Sequence, residues 1–224
     1  MTVGAGSLAV ATGSPEATLR AARDLVRMQD PAADVGGLRW AGGTASAGLR
    51  TALSPPRVQQ ALGLLPMVTV GAARLDAAPP LGDRFETVTL DHTADEGFVV
   101  RARHPLDLLC AAAEALGALM VDPVGVRPAA VLPVEPDLAA DAPDDERLSA
   151  WLGDVLFLLD SHRWALARAV VLEDRPHLCG LLLGEPWDEG RHHIHGAVKA
   201  VTWHALEVAQ EPDGGWRAQM IVDV

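Results

Sequence analysis

Apolar and polar positions change rhythm several times along the second half of the chain, and each change predicts an element. Residues 85–90 alternate with period two, as do residues 97–103 after a polar turn, and both stretches predict strands. His104-Pro105 then opens a helix running to about Met120, with Leu109, Ala112, Leu116, Leu119 and Met120 on one side. Residues 129–134 predict a short strand. Pro143-Asp144-Asp145-Glu146 places acids in the first turn of a second helix, where the helix dipole favours them. That helix runs to about Leu159 and turns Leu148, Leu152, Val155, Leu156 and Leu159 inward. Further strands are predicted at 165–172, 177–184, 197–208 and 216–222. The pattern as a whole predicts an α+β layer, a largely antiparallel sheet with two helices packed on it.

The first 83 residues have another character. They are dense in Ala, Gly and Pro, and show two helix starts in which Ser precedes Pro, Ser14-Pro15 and Ser54-Pro55. The first predicts a helix to about Gln29, but its apolar residues Leu19, Leu25, Val26 and Met28 are too scattered for a buried face. Nothing between Pro31 and Ser54 shows a period. Three readings stay open for 1–83: a small accessory domain, a disordered extension, or translated sequence upstream of the true start. The boundary sharpens when charge is counted. Residues 1–83 hold seven Arg against six acids, whereas residues 84–224 hold eleven basic residues against twenty-four acids. A body so acidic repels phosphate backbones, so direct nucleic-acid binding is not expected.

No basic leader or long apolar run is present, which predicts a protein of the cytoplasm with no membrane segment. Cys110 and Cys179 lie in apolar stretches and read as buried thiols. The chain has no Asn or Tyr, and Lys199 is its single lysine against seventeen arginines. Arg has replaced Lys almost everywhere, so the survivor draws notice because the two cations differ at demanding sites.

Candidate chemistry sits in three places. Asp91-His92-Thr93-Ala94-Asp95 follows the first strand and sets two carboxylates in a tight turn, able to aim hard oxygens at one cation or simply to cap their own backbone. Asp223-Val224 follows directly after the last strand and offers several oxygens. His192, His193 and His195 cluster in a Gly-bounded loop, where a solvated connection is favoured over a zinc site. With Asp91 and Asp95 that cluster defines an alternative, a stand-alone metal-dependent phosphoesterase.

These residues together resemble the archease family, from about Phe85 to Val224. The resemblance rests on residues 91–95, on Asp107 to Ala113 and Met120-Val121-Asp122, and on residues 152–159. It continues through Gly184-Glu185-Pro186-Trp187-Asp188, Arg191-His192, Val198-Lys199-Ala200-Val201-Thr202-Trp203-His204, and the closing Ile221-Val222-Asp223-Val224. It implies a sandwich fold and a divalent metal, calcium before magnesium or manganese, held by Asp95, Asp223 and Val224. Asp91, His92 and Lys199 are additional functional positions on the same ground, with Lys199 matching a family lysine tied to activation. The resemblance also implies a partner, a GTP-dependent tRNA-splicing RNA ligase, whose guanylylation and multiple turnover such a protein promotes without catalysis of its own. Glu96, where an apolar residue is usual, and Trp203, where tyrosine is common, depart from the family pattern.

Overall fold

The computed structural model describes residue 23 and residues 39–41, 86–91 and 96–224. The predicted helix from Ser14 and the start at Ser54-Pro55 therefore fall outside the described residues, apart from Arg23, which is helical. Residues 92–95 also fall outside them.

In chain order the elements are β1 (Arg39–Trp40), β2 (Glu86–Asp91), β3 (Glu96–Ala102), α1 (Pro105–Met120), β4 (Ala130–Val134), α2 (Asp144–Ser161), β5 (Trp164–Glu173), β6 (Cys179–Pro186), β7 (Ala200–Val201), β8 (Glu207–Gln210) and β9 (Trp216–Asp223). The strands form two sheets rather than the single one expected. One runs β1-β4-β6-β5 and the other β2-β3-β9-β7, with β8 also on β9. All pairings are antiparallel except that of β1 with β4.

Both helices touch strands of both sheets, α1 through β5 on one side and β3 and β9 on the other. That position explains the composition of α1. Leu108, Leu109, Ala111, Ala112, Ala113, Ala115, Leu116 and Met120 are all buried, so apolar residues circle the helix instead of forming a stripe. Small side chains let the layers approach. A Cβ added at Gly117 would come 3.0 Å from the Leu166 side chain of β5. Trp151 of α2 is fully buried, and its indole N–H donates to the Leu109 carbonyl at 2.9 Å, tying the two helices together. Burying that ring satisfies both its apolar body and its one donor.

Two expectations need correction. The stretch 197–208 is not one strand. Val201 pairs with Val222 and Glu207 with Gln219, so six residues on this edge face three on β9. The excess is thrown out in a turn at 203–206, where Ala205 takes φ 52° and Trp203 is left 60% exposed. Lys199, Val201 and Trp203 therefore do not share the face of a continuous strand. The second correction concerns the first region, where no element was expected between Pro31 and Ser54. Arg39 and Trp40 add a parallel strand to the outer edge of β4, beside Ala130 and Val131, and Ala41 N–H donates to the Val131 carbonyl at 2.8 Å.

Candidate functional site

Main-chain register gathers the oxygen-bearing segments at one end of the second sheet. Asp91 pairs with Glu96 across β2 and β3, Glu96 with Val222 across β3 and β9, and Val222 with Val201 across β9 and β7. Asp91 and Glu96, the two ends of the β2–β3 loop, thus stand at the level where β9 passes into Asp223 and Val224. With strands about 4.8 Å apart, the two ends of that loop stand within about 5–10 Å of the β9 end. His92 and Asp95 themselves lie outside the described residues, as does the side chain of Asp91.

The β9 end is held by β7 and the residues flanking it. Lys199 N–H donates to the Asp223 carbonyl at 2.8 Å, and Thr202 donates to the Ile221 carbonyl through its N–H at 3.1 Å and its hydroxyl at 2.9 Å. The Lys199 ammonium then arches over the end, donating to the Val224 main-chain oxygen at 2.6 Å and standing 3.9 Å from Asp223 Oδ1. The side chains of Lys199 and Asp223 are 66% and 49% exposed.

These donors suit a hard cation. The Asp223 carboxylate and the Val224 oxygen are hard and water-facing, which is the ligand type calcium or magnesium takes. Among the described residues no group of three or more His, Cys, Asp and Glu side chains forms a metal site.

A second polar cluster sits at the end of β6, and sequence reasoning saw its residues only as parts of a motif. Glu185 is buried, and its carboxylate is gripped by both terminal nitrogens of Arg191, Nη1 to Oε1 at 3.0 Å and Nη2 to Oε2 at 2.8 Å. Arg127 N–H at 2.9 Å and His192 Nε2 at 3.2 Å complete its shell. Burial pushes the Glu185 carboxyl upward, but these donors outweigh it and hold the group below the usual carboxylate range. Asp188 is likewise lowered, chiefly by Arg191 Nε at 2.6 Å. The two carboxylates in turn raise Arg191.

This cluster removes His192 from the histidine group. Its Nδ1 accepts the Asp188 N–H at 3.1 Å, so Nε2 carries the proton and donates to Glu185. No lone pair is left for a metal. His193 and His195 stack edge to face at 4.9 Å on a segment whose backbone bonds to Met120 and Asp122. The spacing of Asp188 and Arg191, three residues apart, was the one sequence signal for this network.

Known proteins sharing this layout decide the family. The model of the Archease protein family matches residues 88–224, from within β2 to Val224. The chain belongs to the archease family. Over 140 residues it is 36% identical to the protein archease of Methanopyrus kandleri, covering 60% of this chain and 96% of that one. The protein archease of Methanosarcina mazei is 29% identical over 152 residues, 65% of this chain and 99% of its own length. The solution structure of Methanobacterium thermoautotrophicum Protein 1598 superposes with a TM-score of 0.50 at 30% identity, covering 63% of this chain and 99% of that one. The archease match leaves out β1 and everything before Val88. Among the described residues, no helix is long and apolar enough to cross a membrane.

Proposed function

We propose that this chain is a metal-binding accessory protein that activates a GTP-dependent tRNA-splicing RNA ligase and performs no catalysis itself. The coarser statement, an accessory role in tRNA splicing, comes with membership of the archease family. The finer one is carried by a single observation: the register that brings the ends of the 92–95 loop beside Asp223 and Val224. Asp95, Asp223 and Val224 are the ligands in this reading, with Asp91, His92 and Lys199 around them. The metal, calcium in first place, supplies a concentrated positive charge at an otherwise acidic surface. The protein's own contribution is positional: β9, fixed by β3 and β7, presents hard oxygens at a sheet end that a ligase surface can reach. A transient protein contact also suits the charge, since an acidic body is steered toward a basic protein groove and away from bare RNA.

The test adds the purified protein to the tRNA-splicing RNA ligase of the same cell and counts ligation turnovers with RNA ends bearing a 2′,3′-cyclic phosphate. Stimulation from single to multiple turnover is expected, together with faster guanylylation of the ligase. Unchanged turnover refutes the activator role. Hydrolysis of a generic phosphodiester by this protein alone with divalent metal refutes its being non-catalytic.

A further inference from the structure

One cation stands where the proposed metal's charge would be. The Lys199 ammonium lies 2.6 Å from the Val224 main-chain oxygen and 3.9 Å from Asp223 Oδ1, while its own main chain is pinned to Asp223 by the 2.8 Å bond to the Asp223 carbonyl. We infer that Lys199 is an intramolecular stand-in for the divalent cation, neutralising the β9 end without metal and displaced from it when metal binds. The inference rests on the reading of Asp223 and Val224 as metal ligands.

Three features carry it. First, an ammonium and a hard divalent cation seek the same oxygens, and the two cannot share the Val224 oxygen face without strong repulsion. Second, the contact is weak enough to yield. The Lys199 and Asp223 side chains are 66% and 49% exposed, and such water-facing pairs contribute little net stability. A divalent ion held by several oxygens outcompetes it. Third, the residue type fits the task. A compact ammonium on a flexible four-carbon stem leaves a site by rotation, whereas a guanidinium prefers a fixed, two-pronged grip. This chain uses arginine at every other basic position except its histidines, and keeps lysine here. Displacement would turn an internal charge balance into an outward signal. With metal bound, the freed ammonium becomes available to an anionic group on a docking protein.

The single lysine makes the experiment clean. Reductive methylation labels only Lys199 and the chain's amino terminus, which peptide mass mapping separates. Labelling of Lys199 is expected to run several-fold faster with saturating calcium than with chelator, the amino terminus serving as the internal control. In calorimetry, Lys199→Met is expected to bind calcium about two- to fivefold more tightly than the parent chain, the range an exposed ion pair supports. If Lys199 merely braced the strand end, the same substitution would weaken binding. Equal or weaker calcium affinity in Lys199→Met overturns the inference, as does calcium-independent labelling of a parent chain that binds calcium. If the parent chain binds no calcium, the ligand reading itself fails and the inference falls with it.

Discussion

Removing the Glu185 carboxylate should cost this fold heavily, because four donors converge on it. The two Arg191 contacts at 3.0 and 2.8 Å are charge-assisted, the Arg127 N–H at 2.9 Å comes from the main chain, and His192 Nε2 reaches it at 3.2 Å. Glu185→Ala leaves the buried His192 and the Arg127 N–H without an acceptor. Breaking a buried charged network by deleting one partner costs about 3–5 kcal/mol. Arg191 moderates this, since its side chain is 35% exposed and keeps Asp188, so the lower figure of about 3 kcal/mol is the better expectation. For a chain of this size that is a fall of about 6–12 °C in melting temperature. Glu185→Gln separates charge from shape. It keeps one acceptor but turns an amide N–H₂ toward the guanidinium, and about 2 kcal/mol is expected to go.

The pH dependence provides an independent check. The folded Glu185 carboxyl titrates below its unfolded value of about 4.3, so its contribution is fully present above that pH. It is lost as pH falls through the lower folded value. Urea unfolding of the parent chain and both variants at pH 7 and at pH 3.5 is the assay. The gap between parent and Glu185→Ala should be widest at pH 7 and narrow on acidification. A Glu185→Ala urea midpoint equal to the parent's at pH 7, or a gap that does not shrink at low pH, refutes the reasoning.

Two other outcomes are expected. Burial raises the Asp154 carboxyl on α2, so the ionised form is disfavoured in the folded state and stability is drawn down as pH rises past its folded pKa; Asp154→Asn should therefore unfold at an equal or slightly higher urea concentration at pH 7, and clear destabilisation would contradict this. A Gly-Ser pair added after Val224 turns the proposed terminal ligand into a neutral amide and should lower calcium affinity more than tenfold by calorimetry, while the same pair before Met1 should leave it unchanged; equal affinities would remove Val224 from the ligand set.

How much of this was legible in the sequence follows from what each signal is made of. Helix α1 matched its expected span because Pro105 fixes the start and a long apolar run continues to Met120. Helix α2 and most strands lay within a few residues of expectation for the same reason: local period reports which face is buried. Period does not report against what. The two-sheet arrangement was missed because a strand buried between helix and neighbour reads alike in either sheet. The split between β7 and β8 was missed because Thr202-Trp203-His204-Ala205 contains no Gly or Pro, and only the pairing of both halves with β9 exposes the three-residue excess. Strand β1 covers two residues, too short to carry a period at all. Its shortness has a cause in its neighbour: Pro133 of β4 has no N–H, so the ladder on that edge cannot run on past Leu132 in the usual way.

The polar sites divide along the same line. Asp188 and Arg191 are close in sequence and visible as a pair, but nothing local says that Arg191 also clamps Glu185, or that His192 is fixed in one tautomer between the Asp188 N–H and Glu185. Sequence alone favours a solvated connection over a zinc site for the histidine group, but carries no sign that His192 is a buried part of this network. At the β9 end the reverse holds. Asp223 and residues 92–95 are separated by nearly the whole domain, and no spacing rule joins them. Only an unbroken register does, Asp91 to Glu96 to Val222 to Val201, with Lys199 lying just beyond it. A slip of one residue between β3 and β9 would move Asp223 to the opposite face of the sheet. The seven-pair ladder of β3 on β9, with Phe98, Val100, Ala218, Met220 and Val222 buried on it, makes such a slip costly. The placement of the candidate site is thus a property of the core, and the apolar residues that never touch a ligand are the ones that fix where its oxygens stand.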